Sequence, residues 1–298
     1  MEINGVVIED TFAEAFPIKI GRVLVTAMTE WWAVEAAREA TGFGTSVIMC
    51  PSEAGIECIV GGEETPDGRP GVYIQICNMS YKSLEDQLLR RIGQCVLTAP
   101  TTAAFNGLPE AEKQFDTGRK LKFFGDGYEC QLDYCGRKVC SIPIMEGDFI
   151  VEETIGAVEG IAGGNFYILG ENQASALLAA EVAVDAIRRV RGTITPFPGG
   201  IVASGSKVGA TKYKFLKATT YESFCPSLKE KEGVCCLPEG VCSGYEIVIN
   251  GISREAIEES IRAGVYAACT VPGVLHICAG NYGGKLGPHQ FHLHEVLE

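Results

Sequence analysis

With 298 residues, 46% of them apolar and 21% charged, the chain is long enough to bury one large or two medium cores and has the composition of an ordered globular protein. A formal net charge of −13 argues against a general nucleic-acid binder, which needs a basic footprint, but not against small anions held at local basic clusters. No apolar run reaches membrane-spanning length, and the acidic N-terminus MEINGVVIED has no signal-peptide core, so a soluble cytoplasmic protein is expected.

In chain order, residues 18–26 (IKIGRVLVT) predict a strand. Residues 29–41 predict a helix with Trp32, Val34, Ala36, Ala37 and Ala40 available for burial, stopped by Gly42 and Gly44. Val47–Met49 and Gly55–Val60 predict two strands around a turn at Pro51–Ala54. Strand 72–78 and helix 81–97 follow, with a last strand near 101–105. Residues 106–147 form a connecting insertion carrying Gly, Asp and aromatic residues. The second half repeats the order: strand Asn165–Leu169, helix Asn172–Arg189 stopped by Gly192, a strand–turn–strand over 193–201, strand 245–250, helix 253–269 and strand 274–279. A lysine-bearing insertion, 205–243, interrupts this half. The β-α-β-β-α-β order of each half is that of the split βαβ unit. The expected fold is α+β: two ferredoxin-like lobes related by internal duplication, with antiparallel sheets packed on helices. The lobes would be residues 1–147, including the insertion 106–147, and residues 148–298, including the insertion 205–243.

The duplication is visible in the residues themselves. Aligned without gaps, 71–97 and 244–270 match Gly71 with Gly244, Ile74 with Ile247, Ile76 with Ile249, Ser80 with Ser253 and Glu85 with Glu258. Leu84, Leu88 and Ile92 fall on Ile257, Ile261 and Val265, so the apolar helix face is shared as well. Each copy is a β-branched strand, a Ser cap and an amphipathic helix. The copies part at Tyr73, which stands where the second carries Glu246.

Motifs that carry chemistry are sparse. Cys130, Cys135 and Cys140, and Cys235, Cys236 and Cys242, lack the Cys-x-x-Cys spacing that presents two thiolates to zinc; buried reduced cysteine is the plainer reading, and no metal site is expected. In HQFHLH, His292 and His294 would share a face if extended, as two metal ligands could, but a polar strand edge is the plainer reading. Residues 200–207 (GIVASGSK) come close to a phosphate loop, yet Ser and Lys are exchanged and no strand–loop–helix context follows. Residues 280–287 (GNYGGKLG) have glycine spacing that permits close backbone approach to a ligand; an ordinary loop is the alternative. There is no Gly-x-Ser-x-Gly elbow. Among carboxylates, Glu246 lies inside the strand YEIVI, where partial desolvation would raise its pKa toward a useful acid–base value; a solvent-facing strand residue is the bland alternative. Glu57 and Glu171 are weaker candidates of the same kind. A basic region gathers Arg188, Arg189, Arg191, Lys207, Lys212, Lys214 and Lys217.

Four long stretches together resemble one family: MEINGVVIEDTFAEAFPIKIGRVLVTA, TEWWAVEAAREATGFGTSVI, TPFPGGIVASGSKVG and VLHICAGNYGGKLGPHQFHLHEVL. The chain is similar, end to end, to the formylmethanofuran:tetrahydromethanopterin formyltransferases of archaeal one-carbon metabolism and methanogenesis. The resemblance implies transfer of a formyl group from formylmethanofuran to N5 of tetrahydromethanopterin or tetrahydrosarcinapterin, without a metal or prosthetic group, by a homo-oligomer, typically a tetramer built from dimers. It places the family's proposed catalytic carboxylate in the strand of Glu246. Substrate contacts are expected from Gly199, Gly200 and Asn281 as oxyanion donors, and from Lys207 and Lys212 toward the acidic groups of the substrates. A non-catalytic subunit that binds pterin or another one-carbon carrier is the alternative that the residues leave open.

Overall fold

The structure is a computed structural model and describes residues 1–298. A short hairpin, β1 (Glu2–Ile3) and β2 (Val6–Ile8), leads into the long strand β3 (Phe12–Thr26). Then come α1 (Glu30–Thr41), β4 (Glu53–Val60), β5 (Gly71–Asn78), α2 (Tyr81–Arg91) and β6 (Ala103–Asn106). The connecting region contributes β7 (Lys113–Phe115), α3 (Thr117–Leu121), β8 (Cys130–Tyr134), β9 (Arg137–Ile144) and β10 (Gly147–Glu152). A second long strand, β11 (Ile155–Gly170), is followed by α4 (Gln173–Ile187) and β12 (Thr193–Ile194). The small hairpin β13 (Lys207–Val208) and β14 (Ala218–Thr219) precedes β15 (Ser243–Gly251), α5 (Arg254–Ala268), β16 (Val274–Cys278), β17 (His289–His292) and α6 (Leu293–Leu297). The mixed α+β class is therefore as expected, and its sheet pairing is mostly antiparallel.

The chain divides into two compact units, Met1–Pro17 with Ile161–Glu298, and Ile18–Gly160. In the second of these, β4 pairs β5, β5 pairs β3 and β3 pairs β6, all antiparallel. Helices α1 and α2 cover one face, burying Ala33, Ala37, Leu84 and Leu88 against Val23, Val25, Ile74 and Ile76. On the other face, Leu24, Phe105 and Val139 form a smaller apolar cluster on which Tyr73 packs. In the first unit, β12 pairs β15, β15 pairs β11 and β11 pairs β16, again antiparallel. Helices α4 and α5 bury Ala180, Ala183, Ile187, Ile257, Ile261 and Val265 against Phe166, Ile168, Ile247, Ile249 and Ile277. This unit also takes in the start of the chain: β2 runs parallel to β16, and β17 pairs with the first residues of β3.

The four main helices begin on the residue types that favour an N-cap. Thr29, Ser80, Asn172 and Ser253 each accept a hydrogen bond from the backbone N–H three residues on, at 3.4, 3.2, 2.9 and 3.2 Å.

Three local expectations change. Val47–Met49 is a turn: Cys50 N–H bonds to Ser46 O at 2.8 Å, the Glu53 carboxylate receives Val47 N–H at 3.1 Å, and β4 already begins at Glu53. The helix expected over 81–97 is α-helical only to Arg91, after which Ile92–Val96 widen into a π-turn. Between 193 and 201 only Thr193–Ile194 is strand; Pro198–Gly200 is a 3₁₀ turn, and pairing resumes at the single bridge between Val202 and Glu246. No helix is long and apolar enough to cross a membrane.

Candidate active site

Strand alternation decides where Glu246 points. Ile247 and Ile249 of β15 are fully buried against the helices, so Glu246 projects from the opposite face of the sheet. Its neighbour across the ladder is Tyr167 of β11, whose neighbour in turn is Cys278 of β16. The three side chains form one row across three strands. The insertion 205–243 lies over this row and supplies Tyr221 and Phe224. Phe224 stacks on Tyr167 with ring centroids 4.7 Å apart and planes 10° apart, and Tyr221 meets both rings edge-on. Tyr167, Val202, Ser204, Tyr221, Phe224 and Glu246 line a small open cleft.

Burial pushes the Glu246 carboxyl up to about 7, against the lowering effect of the hydrogen bond it accepts from the Tyr167 hydroxyl. Burial, and then the nearby Glu246, hold that hydroxyl well above the ordinary tyrosine range, so it stays a proton donor. Burial likewise raises Tyr221, Tyr282 and Cys278. A carboxyl poised near neutrality, in an aromatic cleft with one hydroxyl donor, can both accept and return a proton.

The turn at Gly199–Gly200 belongs to the same site through its backbone. Val202 N–H donates to Glu246 O at 2.8 Å and Glu246 N–H donates to Val202 O at 3.0 Å, tying the turn to the strand. Gly199 and Gly200 have φ of 64° and 88°, the left-handed region that favours glycine. The Gly200 N–H already donates to Phe197 O at 2.7 Å, so it closes the turn rather than facing the cleft as a donor.

The lysines are less free than the sequence suggests. Lys207 sits on β13 and forms an ion pair with Glu222. Lys214 donates to Ala210 O at 3.0 Å. Lys212 lies on the exposed turn of the hairpin, its Nζ 5.3 Å from the centre of the Tyr213 ring.

Residues 280–287 make a close backbone approach, but to a carboxylate of the protein itself rather than to a ligand. The buried Glu14 carboxylate accepts N–H bonds from Tyr282 at 2.8 Å, Gly284 at 3.1 Å, Gly287 at 2.8 Å and also from Leu286. Burial raises the Glu14 pKa, and these four bonds outweigh it, leaving the group below its ordinary value. Asn281 donates both amide hydrogens within the same unit, to Thr11 Oγ1 at 3.1 Å and Phe12 O at 3.2 Å, and so anchors the loop instead of offering a donor to substrate. The Tyr282 hydroxyl accepts from Val208 N–H at 3.1 Å and thereby holds the Lys207 hairpin.

The weaker candidates lie in other networks. Glu57 takes both ends of the Arg22 guanidinium at 2.7 Å and the Gln75 amide at 2.9 Å. Glu171 is exposed in the turn before α4. His292 ends β17, while His294 lies in α6 and contacts Ile8 O at 2.9 Å, so the two do not share a strand face. The sequence reading missed Tyr167, Tyr221, Phe224 and Tyr282; only the alternation within NFYIL, which puts Tyr167 opposite Phe166 and Ile168, held any trace of them.

A family model described as formylmethanofuran-tetrahydromethanopterin formyltransferase matches residues 1–144, and one described as its proximal lobe matches residues 147–296. Curated relatives named formylmethanofuran--tetrahydromethanopterin formyltransferase include those of Methanosarcina barkeri, 68% identical, and Archaeoglobus fulgidus, 64% identical, both over the full length of each chain. The solved formyltransferase of Methanosarcina barkeri superposes with a TM-score of 0.98 at 67% identity, covering 99% of this chain and all of that one. A chain of the formyltransferase/hydrolase complex of Methylorubrum extorquens, solved in complex with methylofuran, superposes with a TM-score of 0.95 at 43% identity, covering 100% of this chain and 99% of that one.

Proposed function

This chain belongs to the formylmethanofuran–tetrahydromethanopterin formyltransferase family, and we propose that it moves the formyl group of formylmethanofuran to N5 of tetrahydromethanopterin or tetrahydrosarcinapterin. The observation that carries this reading is full-length identity of 68% to an enzyme of that name, joined to a desolvated carboxyl in a cleft. The more distant relative, solved in complex with methylofuran, supports a carrier of that kind as the donor.

The reaction follows from the site. The pterin nitrogen attacks the formyl carbon, and the C=O oxygen takes the electron pair as a tetrahedral oxyanion. Glu246 accepts the proton lost by the attacking nitrogen and returns it to the departing amine nitrogen as the C–N bond breaks. No covalent bond to the protein forms. Tyr221 and Phe224 keep water from the formyl carbon, where it would release formate. Holding both substrates in one cleft supplies the orientation. The Gly199–Gly200 turn shapes the wall beside Glu246, and Lys212 offers positive charge to the acidic groups of the substrates, while the charge of Lys207 is paired with Glu222. The loop of Asn281 contributes position. This chemistry calls for no metal or prosthetic group.

Each unit is read as a ferredoxin-like lobe, because each has the order β-α-β-β-α-β with its first strand paired between its third and fourth. The two family models meet between residues 144 and 147, close to the expected division at 147/148, whereas the compact units divide after Pro17 and Gly160. A cytoplasmic homo-oligomer, a tetramer of two dimers, is the assembly proposed; sedimentation of the purified protein at four times the 31.9 kDa chain mass is the expected result.

The deciding experiment incubates the purified protein with formylmethanofuran and tetrahydromethanopterin and measures the 5-formyl product. Turnover is expected. Binding of either substrate without any transfer would instead make the chain a carrier-binding subunit.

A further inference from the structure

We propose that Tyr167 is a positioning residue for this reaction, that its hydroxyl fixes the Glu246 carboxyl, and that Gly280 is the space that admits that hydroxyl. The inference rests on the reading of Glu246 as the proton carrier.

Tyr167 lies directly opposite Glu246 in the β11–β15 ladder and directly opposite Cys278 in the β11–β16 ladder. Its ring cannot tilt freely. One face stacks on Phe224 at 4.7 Å and Tyr221 closes the edge. Only 6% of the residue is exposed. At the hydroxyl end, a Cβ on Gly280 would stand 2.8 Å from the Tyr167 oxygen and 2.9 Å from its Cε2. The Gly280 backbone cannot retreat, because its N–H donates to Asn165 Oδ1 at 2.6 Å and its carbonyl accepts Glu14 N–H at 3.2 Å and Asn165 Nδ2 at 3.3 Å. The phenol is thus held at a fixed height above a residue without a side chain, within hydrogen-bonding reach of the Glu246 carboxyl.

A donor so placed does two things. It occupies one carboxylate oxygen and leaves the other to face the reacting nitrogens. It also favours the ionised carboxylate, opposing burial, and so keeps Glu246 able to accept a proton near neutral pH. The other titratable groups around Glu246 are Tyr221 from the insertion, Tyr282 from the 280–287 loop and Cys278 on β16; burial holds all three above their ordinary values, and so uncharged near neutral pH. Tyr167 is the donor that bonds to the Glu246 carboxyl.

The test compares three variants of the whole protein with wild type. Tyr167→Phe keeps the stacked ring and removes the hydroxyl. Its kcat is expected to fall about 10-fold or more at pH 7 with KM for both substrates within about twofold, and the acid limb of the kcat/KM profile is expected to move to higher pH. Gly280→Ala keeps every hydroxyl but pushes the phenol aside; the same direction of shift is expected. Infrared difference titration of the Glu246 carboxyl, assigned with Glu246→Gln, reads the same shift without turnover. An unmoved midpoint in both Tyr167→Phe and Gly280→Ala, with Glu246→Gln inactive, overturns the positioning role and leaves the proton-carrier reading standing. Retained kcat in Glu246→Gln overturns the proton-carrier reading and this proposal with it.

Discussion

Val202 and Glu246 exchange both of their backbone hydrogen bonds, at 2.8 and 3.0 Å, although 43 residues lie between them. The pair is an isolated bridge on the edge of β15 and the first fixed point after the Gly199–Gly200 turn. Anything that deforms the turn therefore reaches the residue proposed to carry the proton.

Gly200 is the sensitive point in that turn. A Cβ there would lie 2.6 Å from Thr195 Oγ1 and 2.8 Å from Val184 Cγ1, at a φ of 88°. Gly200→Ala is expected to cost about 1–3 kcal/mol, from strain and overpacking together. Gly200→Val should do the same and raise KM for at least one substrate. Thermal melts and steady-state kinetics check both; unchanged melting and unchanged KM would remove the turn from the site.

Glu246 should make stability fall as pH rises. Its carboxyl is raised from an ordinary 4.5 to about 7, so the folded state holds the proton more tightly than the unfolded chain. That contribution is complete below about 4.5 and is lost as pH passes through about 7, to a total of at most about 3 kcal/mol. Glu246→Gln should be stable with less of this dependence while losing most of its turnover. Denaturant melts of the two proteins from pH 4.5 to 9 measure the difference; parallel curves would show that Glu246 is not desolvated.

Activity should have the opposite slope. If the ionised Glu246 takes the proton of the attacking nitrogen, kcat/KM rises with pH through about 7. A profile flat from pH 5.5 to 8.5 would deny the carboxyl its role.

Glu14 works at the acid end. Its pKa is lowered, so the four N–H bonds stabilise the fold above the ordinary carboxylate value and are lost as pH falls below it. Glu14→Gln replaces an acceptor of four bonds by a neutral amide and should cost about 1–3 kcal/mol. Loss of hydrogen-exchange protection at Tyr282, Gly284 and Gly287 is the local readout, and retained protection would place the stabilisation elsewhere.

Much of this was legible in the chain. The repeated strand, Ser cap and helix at 71–97 and 244–270 follow from short-range periodicity, and the elements start where the pattern put them, although the first helix is α-helical only to Arg91. Glu246 stood out because it is a charge on a β-branched strand whose duplicate carries Tyr73. Its surroundings were hidden, since Tyr167, Tyr221 and Tyr282 come from three separate segments and meet only through tertiary packing. The glycines of 280–287 signalled close backbone approach to some group, but nothing local says that the group is Glu14, more than 260 residues earlier. Lys207 looked free because its partner Glu222 lies across a hairpin.

The union of Glu14 with residues 282–287 also orders events during synthesis. The unit Ile18–Gly160 is continuous and leaves the ribosome with every one of its strands. The other unit begins with the first 17 residues, yet β2 waits for β16, the head of β3 waits for β17, and the Glu14 carboxylate waits for the loop before it. Residues 1–17 are made well before their partners and are among the last to be locked, so this segment is the natural weak point of a nascent chain: until residue 287 emerges, the Glu14 carboxylate lacks its backbone partners and must stay in water.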